Sequence, residues 1–289
     1  MRFRSVFIAF FVQFFMVMPR VESATGLDFA LISAQELAAG LSVWTVMDAR
    51  PVKEWEKGRI PGSISFSWET YTETDSEGVK YRTWPPGRLA QALGEMGIRE
   101  TTPIVIYGDA DTSWGGEGWA VWVLAWIGHK GPVRLLDGGI HAWKEGGYPV
   151  EAGTGGGRRR QADSYQVSLD PSVAISADEI EQDPGRYVLV DVRSPMERLA
   201  GQLPGAVGIE WERFFEGRDR RPISSNTLKR IFAENRIPTG KIIVFYCTGG
   251  IRSGYAWAVS VLSGFKDVKN FEGGTEEWEK RRRPSGASP

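Results

Sequence analysis

The chain has 289 residues, 42% hydrophobic and 25% charged, with a formal net charge of −1. That balance is ordinary for a soluble globular protein, and it leaves no overall field to draw the chain to nucleic acid. The length suggests two domains of about 150 residues, each long enough to bury its own core.

Residues 1–23 read as a secretory signal peptide. Arg2 and Arg4 make a basic start, Val6–Met18 is apolar apart from Gln13, and Pro19 breaks the run. Val21 and Ser23 then stand at the −3 and −1 positions of a cleavage before Ala24. The apolar run of 13 residues falls short of the ~20 that cross a bilayer. Removal is expected, with a periplasmic or secreted product and no stable membrane insertion afterwards. An uncleaved anchor stays open, because the site is not a clean A-x-A.

The rest is a repeat. Asp48-Ala49-Arg50 matches Asp191-Val192-Arg193 at an offset of 143, and Glu54, Gly58, Pro61-Gly62 and Trp68-Glu69 match Glu197, Gly201, Pro204-Gly205 and Trp211-Glu212 at that offset. Further on, Asp137-Gly138-Gly139 and Trp143 match Glu272-Gly273-Gly274 and Trp278 at an offset of 135. Two similar domains follow, 25–152 and 163–284. Between them residues 153–162 form a Gly-rich, basic linker of flexible composition. The runs Arg158–Arg160 and Arg281–Arg283 read as solvated linker and tail.

Within each copy, short apolar runs alternate with amphipathic ones. Trp44–Met47, Pro103–Tyr107, Tyr187–Val190 and Lys241–Tyr246 have the continuous, β-branched character of strands buried on both faces. Ser176, with Glu179 three residues on, is a capping box opening one helix. Ser253–Leu262 is long enough to be another. Such alternation predicts an α/β fold, each domain a mostly parallel sheet flanked by helices.

The segment Cys247–Arg252 joins a buried strand to that last helix, at the strand end where open α/β sheets bind ligands. Gly249 and Gly250 let the backbone curl so that its N–H groups turn inward as an anion nest. A thiolate there gains from those donors, from the helix N-terminus and from Arg252. Cys247 is the only cysteine, which excludes an intramolecular disulfide and dithiol redox chemistry. On its own a cysteine after an apolar strand reads as a small buried hydrophobe. The glycine pair, the arginine and the helix behind it point instead to a reactive thiol. The only histidines, His129 and His141, lie in the first copy and read as structural or surface residues. Neither a Cys-His pair nor a zinc site has the ligands or the spacing.

These elements together resemble the rhodanese family over essentially the whole mature chain: Asp-x-Arg with its following Glu, the Pro-Gly turn, the six-residue loop Cys247–Arg252 and Gly-Gly…Trp near each domain end. The resemblance implies two rhodanese-like domains, the first inactive, since Gly108 stands where Cys247 stands. The first copy's loop from Asp109 to Trp119 is about three residues longer, and its Asp109 and Asp111 would repel an anion. Trp114 is a candidate wall of the cleft. The implied activity is a sulfurtransferase: Cys247 takes sulfane sulfur from a donor such as thiosulfate and yields it to a thiophilic acceptor such as cyanide or a thiol. The partners are thus a small-molecule donor and acceptor, or a sulfur-accepting protein, with no nucleic acid. No metal or organic cofactor is needed.

Thr248, Gly249, Gly250, Ile251, Arg252 and Ser253 are the expected substrate-binding loop. Asp191 and Arg193 are expected to brace it rather than catalyse, because the first copy keeps the same pair without a cysteine. Two departures stand out. Thiosulfate-preferring members carry a cation third in the loop, where this chain has Gly249, and another arginine just after Asp-x-Arg, where it has Glu197. Arg252 is therefore expected to supply much of the anion binding. A phosphatase of related fold would need Cys-x5-Arg, one residue more than this loop has. A non-enzymatic persulfide carrier or sensor, and a mercaptopyruvate-type sulfurtransferase, stay open as alternatives.

Overall fold

A computed structural model of the chain describes residues 26–155, 164–238 and 240–282. The signal segment 1–23, Arg158–Arg160 with most of the linker, and Arg283 lie outside the described residues.

The first half runs β1 (Phe29–Ile32), α1 (Ala34–Ala39), β2 (Thr45–Asp48), α2 (Val52–Lys57), β3 (Ile64–Ser65), α3 (Trp68–Tyr71), a hairpin of β4 (Thr72–Glu73) and β5 (Arg82–Thr83), α4 (Pro86–Glu95), β6 (Ile104–Tyr107), α5 (Gly116–Trp126), β7 (Val133–Leu136) and α6 (Gly139–Glu145). The second half repeats this as α7 (Ala177–Gln182), β8 (Tyr187–Asp191), α8 (Pro195–Leu199), β9 (Val207–Gly208), a hairpin of β10 (Phe215–Glu216) and β11 (Arg221–Pro222), α9 (Ser225–Glu234), β12 (Ile242–Tyr246), α10 (Ile251–Leu262), β13 (Val268–Phe271) and α11 (Gly274–Arg282). Both main sheets are parallel, ordered β1-β7-β6-β2-β3 and β13-β12-β8-β9. In the second sheet the place of β1 is taken by a single parallel bridge, Ala174 to Asn270.

All four expected strands form, and Ser176 with Glu179 makes the expected capping box. The same box recurs at Ser33 with Glu36 and at Ser194 with Glu197. One helix begins earlier than the sequence suggests. Gly250, at φ +86°, is itself the N-cap, so α10 starts at Ile251 and takes in Arg252.

Each half buries a core of its own, as its length allows, and the packing adds a further core common to both. Each central strand alternates its side chains between faces. Val46, Val105 and Tyr107 on one sheet, and Leu189, Val244 and Tyr246 on the other, enter cores private to their own half. The intervening Met47, Ile104 and Ile106, with Val188, Val190, Ile243 and Phe245, enter one core common to both halves. Helices α5 and α10 fill its middle and pack on each other. They approach at glycines: a Cβ at Gly254 would lie 2.9 Å from the Trp119 Cα, and one at Gly118 would overlap the Tyr255 Cα.

A reciprocal exchange closes the two halves. Arg82 of the first hairpin reaches Glu272 (2.6 Å), and Arg221 of the second reaches Asp137 (2.5 Å), the residue aligned with Glu272. The turn residues before these arginines, Tyr81 and Arg220, both sit in the left-handed region, at φ +65° and +55°.

Candidate active site

Cys247 follows the last residue of β12 and is 2% exposed. Strand and loop are held from several sides. The Tyr246 hydroxyl accepts from Leu203 N (3.1 Å), and the Tyr246 carbonyl from Val192 N (3.0 Å). The first residues of α11 hold the loop's carbonyls: Thr275 N donates to Cys247 O (3.0 Å) and Glu276 N to Thr248 O (3.2 Å). Asn270 Nδ2 donates to Gly250 O (3.1 Å). With the carbonyls engaged outside, the N–H groups of Gly249 and Ser253 turn toward the sulfur, and the Ser253 hydroxyl donates to it at 3.7 Å.

Burial pushes the Cys247 thiol up, as it does any buried acid. The Arg252 charge, the Ser253 N–H and hydroxyl and the Gly249 N–H together outweigh it, so the thiol titrates below its ordinary range. The Cys247 sulfur faces a cavity of about 340 Å³ lined by Trp68, Tyr81, Trp114, Glu197, Thr248, Gly249, Ile251 and Arg252. Of the expected loop, Thr248, Gly249, Ile251 and Arg252 reach this cavity. Ser253 acts on the sulfur from behind, and Gly250 serves as the helix cap.

Arg252, expected to supply much of the anion binding, is paired with a carboxylate. Its guanidinium forks onto Glu197, with Nη2 to Oε1 at 2.6 Å and Nη1 to Oε2 at 2.8 Å, and also donates to Thr248 Oγ1 at 3.2 Å. Hydrogen bonding to Arg252 holds the Glu197 carboxyl far below its usual range, at about 2. Glu197 also closes the Ser194 capping box, so α8 presents it in a fixed place.

Asp191 and Arg193, expected as a bracing pair, bond to each other. Asp191 accepts from the Arg193 backbone (3.0 Å) and side chain (2.7 Å), and Arg193 Nη2 donates to Gly201 O (2.6 Å). They brace the segment 194–201, which carries Glu197, and Asp191 also bonds the side chain of Tyr246, the residue before Cys247. Asp48, Arg50 and Gly58 make the same set in the first half, at 3.0, 2.6 and 2.8 Å.

The first copy's counterpart site is filled. A Cβ at Gly108 would overlap Glu117 Oε2, so this carboxyl occupies the room of the missing side chain. Burial raises Glu117 to about 7, and Ser113 Oγ donates to it at 2.6 Å. Gly108 precedes its helix by eight residues and Cys247 by four, so the first loop is four longer rather than three. Its acidic residues do not face an anion site. Asp109 accepts from Thr112 N (2.8 Å) and Ser113 N (3.1 Å), and Asp111 pairs with Arg220 (2.9 Å). Trp114, the expected wall, is 52% exposed and stacks on Trp211.

His129 is buried, bonded to Thr102 O (2.9 Å) and Tyr165 Oη (3.1 Å), and burial lowers it to about 4; His141 is half-buried. Among the described residues no group of three or more His, Cys, Asp or Glu is placed to hold a metal ion. Sequence reasoning missed Trp68, Tyr81 and Asn270. The first two act across the domain interface, where local patterns say nothing.

A family model for the rhodanese-like domain matches residues 33–146 and again 176–281. The chain belongs to the rhodanese-like family. Among relatives of this family, a "putative thiosulfate sulfurtransferase SseA" of Mycobacterium tuberculosis is 31% identical over 86% of this chain and 85% of its own. A "3-mercaptopyruvate sulfurtransferase" of Mus musculus is 28% identical, covering 82% of each chain. A "sulfur carrier protein TtuD" of Thermus thermophilus is 29% identical, over 78% of this chain and 83% of its own. Two solved structures share the rhodanese-like fold. SseA from Escherichia coli superposes with a TM-score of 0.73 at 20% identity, over 86% of this chain and 98% of its own. EanB in complex with ergothioneine superposes at 0.76 with 22% identity, over 94% and 72%.

Proposed function

We propose that the second rhodanese-like domain, residues 163–284, transfers sulfane sulfur through a persulfide on Cys247, and that the first, 25–152, contributes walls but no nucleophile. The observation that carries this is the Cys247 sulfur itself: pressed toward its thiolate by two backbone N–H groups and Arg252, and facing a cavity. The thiolate attacks the outer sulfur of a donor. With thiosulfate, the S–S bond breaks, sulfite leaves with the bonding pair, and Cys247 holds a persulfide. An acceptor such as cyanide then bonds to the outer sulfur and departs as thiocyanate, and the Cys247 thiolate is regenerated. Splitting one transfer into two easier displacements is nucleophilic catalysis. The loop N–H groups stay aimed at the place where negative charge collects throughout.

A mercaptopyruvate-type donor is the second reading, supported by the pairing of Arg252 with Glu197 and the absence of a side chain at position 249. Among the described residues lining the cavity, Arg252 is the cation, and its guanidinium is already committed to Glu197. Three aromatic residues complete the lining and suit an organic donor better than a small dianion. A sulfur-accepting protein would use the same persulfide, as the name of the Thermus relative suggests for that protein. Residues 1–23 support export before any of this chemistry.

Mass spectrometry tests the central claim. After incubation with thiosulfate or mercaptopyruvate, the protein gains one sulfur atom, which cyanide removes. Cys247→Ser shows neither the gain nor any transferase activity; an active serine variant would defeat the proposal.

A further inference from the structure

The third loop residue, Gly249, has a feature that its own conformation does not explain. Its φ lies outside the left-handed region, so the backbone there would accept a side chain. Space does not. A Cβ on Gly249 would overlap Tyr81 Cβ and lie 2.8 Å from its Cγ. The obstruction is the root of the tyrosine side chain, which cannot swing aside as a flexible tip would.

Tyr81 belongs to the other half of the molecule, at the turn between β4 and β5. It is a non-glycine residue at φ +65°, a region where a Cβ is unfavourable. The neighbouring backbone is pinned. Thr83 N donates to Glu272 Oε1 (2.5 Å), Arg82 pairs with Glu272 (2.6 Å) and Glu277 (3.1 Å), and Trp119 Nε1 donates to Thr83 Oγ1 (3.2 Å). Trp68 abuts the Tyr81 ring edge-on at 6.0 Å between centroids. Held so, the tyrosine covers Gly249 and lines the cavity before Cys247. A side chain growing from position 249 would take Tyr81's place on that wall.

We infer that Tyr81 is a specificity-determining residue supplied by the domain without a nucleophile: it enforces glycine at position 249 and so keeps a second cation out of the sulfur-transfer cavity. Residues 81 and 249 exchange as a pair. The inference rests on the reading of Cys247 as the sulfur carrier. The substrate class it selects is organic sulfur donors, against compact dianions such as thiosulfate, for which an unpaired guanidinium would supply attraction.

The test is a double-mutant cycle on the full chain. Tyr81→Gly is well suited, because glycine accepts the left-handed turn freely. Gly249→Ala and Gly249→Arg are made with and without it. With Tyr81 present, both loop substitutions lower the thermal unfolding midpoint, and Gly249→Arg gains no thiosulfate activity. In the Tyr81→Gly background the midpoint penalty disappears. There Gly249→Arg raises thiosulfate kcat/KM roughly ten- to a hundredfold over Tyr81→Gly alone, the worth of one charged hydrogen bond, while mercaptopyruvate kcat/KM does not rise in step. Loop substitutions that behave identically with and without Tyr81, in both the midpoint and the donor ratio, would overturn the inference. Should the wild type take sulfur from neither donor, the sulfur-transfer reading fails. The unfolding midpoints of the alanine pair still decide whether Tyr81 enforces the glycine.

Discussion

Arg252 serves two partners at once, and the balance between them bears on the state of the Cys247 thiol. Its charge favours the Cys247 thiolate, while its fork is committed to Glu197. In Arg252→Ala the largest influence lowering the thiol is lost while its burial remains, so the pH midpoint for Cys247 alkylation should rise. The sign follows from the chemistry: alkylation needs the thiolate, and the adjacent cation is what allows it to persist toward lower pH. Sulfur transfer should fall roughly ten- to a hundredfold, the scale of a lost charged hydrogen bond. Arg252→Lys should recover only part of this, because an ammonium cannot reproduce the planar fork onto Glu197. Unchanged alkylation and unchanged turnover would show that the backbone N–H groups suffice. This much of the site was legible in the sequence, since Cys247, Gly249, Gly250 and Arg252 are near neighbours and their chemistry is local. The pairing was not, for Glu197 lies 55 residues from Arg252. A signal existed nonetheless: an acid where an arginine was expected, in a chain whose loop keeps a single arginine.

Helices α5 and α10 show what local patterns can and cannot give. Nearly every residue of each is buried, so their composition announces burial without saying against what. The strands were readable because a continuous β-branched run has few other uses. The shared core was not, since alternation within a strand tells which residues lie together but not which partner they meet. Gly118 and Gly254 carry the missing information: two helix-interior glycines, each unfavourable by about 1 kcal/mol for propensity alone, bring the helices close. Gly118→Ala should improve propensity and still destabilise the protein by about 1–3 kcal/mol, the range for overpacking a core, because its Cβ would overlap the Tyr255 Cα. Chemical denaturation checks this, and a more stable Gly118→Ala variant would mean that the helices slide apart at little cost. The hairpin turns tell the same story, since nothing local in Tyr81 or Arg220 reveals a role in the opposite half.

For the molecule as a whole, export is the expectation attached to Arg2, Arg4 and the Val6–Met18 run. Cell fractionation with N-terminal sequencing should find the protein beginning near Ala24, in the periplasm or medium; full-length protein free in the cytosol would refute it. The two halves that would then fold together are joined by a core neither can complete alone. The fused repeat has the logic of an isologous dimer, in which each surface patch meets the counterpart of its own partner. Here the counterparts have diverged, one loop holding a thiol and the other a carboxyl in its place. The crossed hairpins make heredity at the two loops inseparable. A lesion near Gly108 should be felt by a hairpin encoded later in the chain, and one in the early segment 72–84 should be felt at Cys247. A map of loss-of-activity alleles should therefore show two clusters far apart in the gene, and the first half should tolerate change least where it touches the loop of the second.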